Sequence, residues 1–126
     1  MLNVISTKSA PGAIGPYSQA ITTNGLVFTS GQIAINPVSG EVEATTIEGQ
    51  TEQVMKNLLA ILLEAGTDFS KAIKTTCFLS DMGDFAKFNE VYGKYFKGTK
   101  PARSCVAVKQ LPKNVLCEVE VIAYLG

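Results

Sequence analysis

The segment Lys100–Val106 places a guanidinium group beside a thiol on one predicted strand. Pro101 ends the preceding helix, because proline does not continue a helix, and an extended segment follows at once. Side chains alternate along a strand, so Arg103 and Cys105 share one face. Arg103 therefore either pairs with a structural acid or binds an anionic ligand.

Two acids near the end of the chain are the natural counterparts of this arginine. Glu118 and Glu120 share one face of the predicted strand Leu116–Tyr124. Arginine is suited to bidentate binding of a carboxylate, and a partly buried glutamate is suited to polarise a water molecule. A buried salt bridge is the alternative, although such pairs are costly to desolvate. Strand alternation alone does not separate the two glutamates.

Two further segments have the composition of a ligand-binding surface. The loop Ala10–Tyr17 contains two prolines and two glycines, so it has a defined shape that could position Tyr17. Gly31 lies inside a predicted strand, where glycine indicates either a bulge or the close approach of another group. Both readings remain open from the pattern.

Histidine is absent from the chain, which excludes the usual zinc sites and every histidine-activated nucleophile. The three cysteines, Cys77, Cys105 and Cys117, cannot all pair and lack a metal-ligand spacing. A covalent role for the Cys105 thiol is disfavoured, because no base accompanies it and a neighbouring acid would raise its pKa. Any catalysis is therefore predicted to use carboxylates, Arg, Tyr, Ser, Cys, Lys, backbone groups and water.

Composition indicates one globular domain spanning residues 1–126. Hydrophobic residues make up 46% of the chain and charged residues 17%, which is typical of an ordinary core. Eleven basic residues balance eleven acidic ones, which disfavours nucleic acid as a partner. The N-terminus resembles no secretory signal and no apolar run could cross a bilayer, so we predict a cytoplasmic protein with no membrane partner.

Hydrophobic periodicity predicts the element order β-β-β-α-β-α-β-β. Asn24-Gly25 suits a type I′ hairpin turn, and the first helix is predicted to begin at a Thr45 cap and to end at Gly66. Asp81 is predicted to cap the second helix. The six predicted strands cover residues 2–7, 20–23, 26–32, 72–79, 102–108 and 116–124.

These elements predict an α+β fold with a single six-stranded mixed sheet. Right-handed crossovers place both helices on the same face of that sheet. The other face then lacks a helical cover, and we expect it to carry Arg103, Cys105 and one of Glu118 and Glu120. A partly apolar open face of this size predicts self-association.

Several short motifs occur together in one order and spacing. They are Gly15-Pro16-Tyr17-Ser18-Gln19-Ala20, Ser30-Gly31-Gln32, Asn89-x-x-Tyr92, Pro101-Ala102-Arg103-Ser104-Cys105-Val106 and Cys117-Glu118-Val119-Glu120. In this combination the chain resembles the RidA (YjgF) family of reactive-intermediate deaminases over essentially its whole length. The resemblance implies a chorismate-mutase-like fold and a homotrimer whose sheets form a central barrel, with ligand sites between subunits.

The resemblance also implies roles for individual residues. Arg103 would bind the substrate carboxylate and Glu118, rather than Glu120, would activate water. Cys105 would contribute to substrate binding mainly through its main chain. The remaining residues implied to bind substrate are Tyr17, Ser30, Gly31 and Asn89.

The activity implied by the resemblance is the hydrolysis of 2-imino acids or their enamine tautomers. The substrates would be 2-iminobutanoate and 2-iminopropanoate, the products a 2-oxo acid and ammonia, and no cofactor would be needed. Two alternatives are a non-catalytic trimeric module that binds small carboxylates and an RNA-directed translation inhibitor.

Overall fold

The computed structural model describes residues 1–126 and contains one six-stranded mixed sheet with two α-helices. The strands are β1 Asn3–Ile5, β2 Ala20–Thr23, β3 Leu26–Thr29, β4 Ala72–Leu79, β5 Ala102–Ala107 and β6 Cys117–Tyr124, and the helices are α1 Ile47–Ala65 and α2 Phe85–Gly93. Across the sheet the order is β1-β2-β3-β6-β4-β5, and only β4 and β5 pair in parallel. The predicted α+β fold and element order are confirmed.

The predicted hairpin turn and the predicted end of α1 are confirmed, but both predicted helix caps are wrong. Asp81 caps a short 3-10 turn, Met82–Asp84, that precedes α2, and it does not cap α2 itself. Asn24 and Gly25 both have positive φ, at 51° and 76°, as a type I′ hairpin requires. Gly66 ends α1 with a φ of 90°. The predicted Thr45 cap is wrong by one residue, because Thr46 is the extended residue whose side chain accepts a hydrogen bond from Gly49 N at 3.1 Å.

The core lies between the two helices and one face of the sheet. On β6, the side chains of Cys117, Val119, Val121 and Ala123 are at most 1% exposed. The apolar stripe of α1 packs over this face with residues that include Val54, Leu58, Ile61 and Leu62. The alternation predicted for β6 is therefore confirmed, and Glu118 and Glu120 point away from the helices.

The predicted orientation of Arg103 and Cys105 is wrong. In the parallel β4–β5 pair, Thr75 lies opposite Arg103 and Cys77 opposite Cys105. Thr75 and Cys77 are fully buried beneath the helices, and residues directly opposite each other point to the same face. Arg103 and Cys105 therefore face α2. Both faces of β5 mix small and polar side chains, so its own pattern does not decide which face is covered.

The opposite face of the sheet has no helical cover. Phe28, Val106 and Tyr124 on this open face are 39%, 47% and 45% exposed. An apolar surface of this kind is typical of an interaction surface. Neither helix has the length and apolar character that would be needed to cross a bilayer.

Candidate functional site

A pocket of about 310 Å³ lies at the N-terminal end of β6. The loop between β1 and β2 forms one wall, and the segment after β3 forms another. Four residues predicted from the sequence line it, namely Tyr17, Ser30, Gly31 and Glu118. Most of the remaining wall is apolar and includes Pro11, Ile14, Ile33, Ile35 and Pro112. We call this the Glu118 pocket.

The backbone of the segment after β3 brings Gly31 against Glu118. Gln32 N donates to Val119 O at 2.9 Å, and Val119 N donates to Gln32 O at 3.2 Å. A Cβ atom added at Gly31 would lie 2.1 Å from Glu118 Oε2 and 2.9 Å from its Cδ. Gly31 therefore leaves room for the carboxyl group. Of the two alternatives that the sequence offered for this glycine, this is the close approach of another group.

The carboxyl group of Glu118 is half-buried in this pocket. Burial raises the pKa of Glu118 above its ordinary value, and the negative charge of Glu120 raises it further. A carboxylate with a raised pKa is a stronger base than an exposed one, which suits it to take a proton from water. The sequence alone did not distinguish the glutamates, but only Glu118 reaches this pocket.

A buried glutamine holds the loop that forms one wall. Gln19 is 4% exposed, and its Nε2 donates to Pro11 O at 2.8 Å and to Thr7 O at 3.1 Å. Its Oε1 accepts a hydrogen bond from Thr7 N at 2.7 Å. We did not predict this role for Gln19, although a glutamine after a proline- and glycine-rich loop could have suggested it. The Ser30 hydroxyl likewise donates to Ser18 O at 2.6 Å.

A second pocket, of about 300 Å³, lies where α2 meets the edge strand β5. Arg103 and Asn89 line it together with Tyr92 and Lys100. Arg103 Nη1 donates to Asn89 Oδ1 at 2.7 Å, and the guanidinium carbon lies 5.0 Å from the centre of the Tyr92 ring. We call this the Arg103 pocket.

The predicted site residues thus form two groups on opposite faces of the sheet. Tyr17, Ser30, Gly31 and Glu118 belong to the first group and Asn89 and Arg103 to the second, and the two pockets share no residue. The chain therefore does not bring the predicted anion-binding group and the predicted base together by itself. The two groups instead occupy two separate pockets of the chain.

Cys105 lies on the same face as Arg103 but lines neither pocket. Burial raises the pKa of its thiol, and the positive charge of Arg103 offsets this only in part. A thiol with a raised pKa is a weak nucleophile at neutral pH. No three histidine, cysteine, aspartate or glutamate side chains lie close enough to hold a metal ion.

Comparison with known proteins relates this arrangement to one family. Residues 7–125 match the family described as endoribonuclease L-PSP. The chain is 57% identical over 97% of its length to a Lactococcus lactis protein named as a regulator, AldR, and covers 97% of that protein. It is 45% identical over 98% of its length to human 2-iminobutanoate/2-iminopropanoate deaminase, of which it covers 90%.

A solved structure agrees with both the fold and the family. It is a Yersinia pestis protein, YyfA, described as a protein of unknown function of the conserved Rid family. The two chains superpose with a TM-score of 0.96 at 53% identity, over 98% of this chain and 99% of the other. With the motifs around Tyr17, Gly31, Arg103 and Glu118, these matches show that the chain belongs to the RidA (YjgF) family.

Proposed function

We propose that the protein is a hydrolytic deaminase of small 2-imino acids and their enamine tautomers. Its substrates are 2-iminobutanoate and 2-iminopropanoate, and its products are the corresponding 2-oxo acids and ammonia. Human 2-iminobutanoate/2-iminopropanoate deaminase, at 45% identity over nearly the whole chain, supports this activity. The observation that carries the proposal is that one chain presents both an available guanidinium, in the Arg103 pocket, and a half-buried carboxyl group of raised pKa, in the Glu118 pocket.

The active form is a homotrimer whose sites lie between neighbouring subunits. Arg103 and Glu118 lie on opposite faces of the sheet, so a site that uses both needs two chains. The exposed apolar side chains of the open face, including Phe28 and Val106, favour such an assembly. Symmetric packing of three open faces around one axis closes a barrel and repeats the same site at every boundary.

In the assembled site, each half performs a different task. Arg103 binds the substrate carboxylate through the guanidinium nitrogens that Asn89 does not use, which fixes the position of the imine carbon. Glu118 accepts a proton from water as the water oxygen bonds to that carbon. The apolar wall around Ile14 and Ile35 suits a short alkyl side chain on the substrate.

The second half of the reaction returns the proton. The imine enters protonated, as C=NH2+, so addition of water with loss of one proton to Glu118 gives a neutral carbinolamine, in which carbon carries both a hydroxyl and an amino group. Glu118 donates that proton to the amino nitrogen, the C–N bond breaks and ammonia leaves. The hydroxyl proton passes to the departing ammonia as the C=O bond of the 2-oxo acid forms, so the nitrogen is released as ammonium. No electrons are gained or lost, so the reaction needs no redox cofactor.

The test is a coupled assay in which a threonine dehydratase generates 2-iminobutanoate. Wild-type protein should shorten the lifetime of the imine, while Arg103→Ala and Glu118→Gln should lose the effect. Lys56→Ala, which removes an exposed cation on α1, is the matched control and should behave like wild type. Failure of the wild-type protein to accelerate imine hydrolysis would contradict the proposal.

The relative named as a regulator favours a second candidate, a module that binds small carboxylates without turnover. It predicts binding of 2-oxobutanoate that depends on Arg103 together with no effect on imine lifetime. An RNA-directed function receives less support. The chain balances eleven basic against eleven acidic residues and contains no histidine, whereas phosphate backbones are usually bound by a basic surface.

A further inference from the structure

Arg103 is held on three sides by groups that carry no charge. Its Nη1 donates to the amide oxygen of Asn89 at 2.7 Å. Its guanidinium carbon lies 5.4 Å from the centre of the Phe85 ring and 5.0 Å from that of Tyr92. Both distances are within the range in which a cation is attracted to an aromatic face. Phe85, Asn89 and Tyr92 belong to α2 and together form a neutral cage.

The cage is itself anchored in the core. The Tyr92 hydroxyl and Thr75 Oγ1 are hydrogen-bonded at 2.7 Å, and the ring of Tyr92 stacks on that of Phe88 with centres 5.5 Å apart. Thr75 and Phe88 are fully buried. The Tyr92 ring therefore has little freedom to move, and it provides a fixed surface for the guanidinium group.

A neutral cage has a different consequence from a salt bridge. A carboxylate partner would orient Arg103 equally well, but it would also neutralise the charge and compete with an anionic ligand for the same nitrogens. Aromatic faces and an amide oxygen orient the group while leaving its net charge uncompensated. Restricting the side chain before binding also lowers the entropy lost when the ligand arrives.

We propose that Phe85 and Tyr92 are positioning residues that hold Arg103 ready for a carboxylate, and that position 89 is an amide rather than an acid so that the arginine charge stays unpaired. Phe85 acts only through Arg103, since it does not line the Arg103 pocket. The inference rests on the proposed function for the identity of the carboxylate, but it concerns binding and does not require turnover.

The direct test measures the affinity of 2-oxobutanoate for the assembled protein by calorimetry. Phe85→Leu keeps an apolar side chain but removes the ring, and we expect binding about fivefold weaker. Phe85→Tyr keeps the ring and should restore wild-type affinity. Asn89→Asp keeps the size and the acceptor while adding a negative charge, and we expect binding at least about tenfold weaker.

The Asn89→Asp variant separates this role from a merely structural one. If Asn89 served only to hold Arg103 in place, an aspartate would hold it more firmly and affinity would be unchanged or higher. In the imine assay, Phe85→Leu should raise KM about fivefold while kcat stays near the wild-type value. Melting temperatures measured on the same samples identify any variant that has lost its fold.

Three results with variants would overturn the inference. They are unchanged 2-oxobutanoate affinity in Phe85→Leu, failure of a folded Phe85→Tyr to restore affinity, and unchanged or tighter binding in Asn89→Asp. A wild-type protein that does not bind 2-oxobutanoate would also overturn it. If the binding results are as expected but the imine assay shows no acceleration, the deaminase proposal is contradicted, while the role of the neutral cage in carboxylate binding is supported.

Discussion

The two pockets of this chain are built in different ways. The Glu118 pocket is formed largely by loops and backbone, with an apolar wall around a carboxyl group whose pKa is raised by burial. The Arg103 pocket is formed by side chains of α2 and β5, which surround a cation with aromatic rings and an amide. The first pocket makes its charged group harder to ionise, whereas the second leaves its charge uncompensated.

This difference follows from the task proposed for each half. A base must exchange a proton near neutral pH, so a raised pKa is useful to Glu118. An anion-binding group must stay charged and stay in place, so a rigid and neutral surrounding is useful to Arg103. Because the sheet separates the two pockets within one chain, each environment is formed by that chain without a contribution from its own other charged group.

The largest loss of activity is expected from substitution of Arg103 or of Glu118, and combining the two variants tests whether these residues act from different chains. Arg103→Ala and Glu118→Gln should each reduce kcat/KM by about 10²–10⁴-fold. Co-expression of the two variants should restore activity, because roughly one site in four would combine an intact Arg103 with an intact Glu118 from a neighbour. Separately purified variants, mixed without subunit exchange, are the control. A co-expressed sample no more active than the single variants would contradict the shared site.

The next largest loss of activity is expected from Gly31→Ala, which alters only the backbone segment that lies against Glu118. In Gly31→Ala, the new methyl group would overlap the position of Glu118 Oε2, so the carboxyl group must move. We expect kcat/KM to fall about 100-fold, which is within the range for loss of a general base, while 2-oxobutanoate affinity falls less. Gly98→Ala, where an added Cβ has no neighbour within 4 Å, is the matched control. Full activity in Gly31→Ala would show that the position of the carboxyl group is not critical.

The raised pKa of Glu118 also predicts a pH-dependent stability difference. Over the pH interval between the unfolded and folded pKa values, Glu118 is protonated in the folded state and ionised in the unfolded state. The free energy of unfolding of the protein therefore falls as pH rises through that interval. Glu118→Gln removes this loss of stability, because glutamine does not ionise. Its melting temperature should exceed that of wild type at neutral pH, and the difference should vanish at acidic pH. A variant less stable than wild type at neutral pH would contradict the assignment.

Substitution of Glu120 should have a smaller effect, a shift in the pH profile of kcat/KM, because the charge of Glu120 is the secondary cause of the raised Glu118 pKa. Glu120→Gln should lower the pKa of Glu118 and move the acidic limb of the kcat/KM profile to lower pH. Activity at neutral pH should change little. The pH profile of Glu118→Gln, which should lack this limb, provides the reference. An acidic limb that does not move would assign it to another group.

The smallest effect is expected at Cys105, whose thiol lies outside both pockets. Because burial raises the pKa of this thiol, Cys105→Ser should retain a kcat/KM close to wild type. Cys77 and Cys117 are buried and should resist alkylation under native conditions, so a thiol titration reports on Cys105 alone. Loss of activity in a folded Cys105→Ser variant would restore the covalent alternative.

Much of the local structure follows from nearest-neighbour chemistry. The Asn24-Gly25 turn, the glycine end of α1 and the buried face of β6 were all predicted, because each depends on residues only a few positions apart. The cap of α1 is Thr46 and not the predicted Thr45, because two adjacent threonines are equally suitable caps and the local pattern does not separate them. The motifs also indicated the family, which the comparisons show.

The sequence alone determined which residue types are available for chemistry: an arginine, two glutamates and no histidine. It did not determine which sheet face Arg103 occupies, because both faces of β5 carry a similar mixture of side chains. Only pairing with β4 decided it, since Thr75 is buried beneath α2 and its register fixes the direction of its neighbour. The separation of Arg103 from Glu118 is therefore a property of strand register, which depends on contacts distant in sequence.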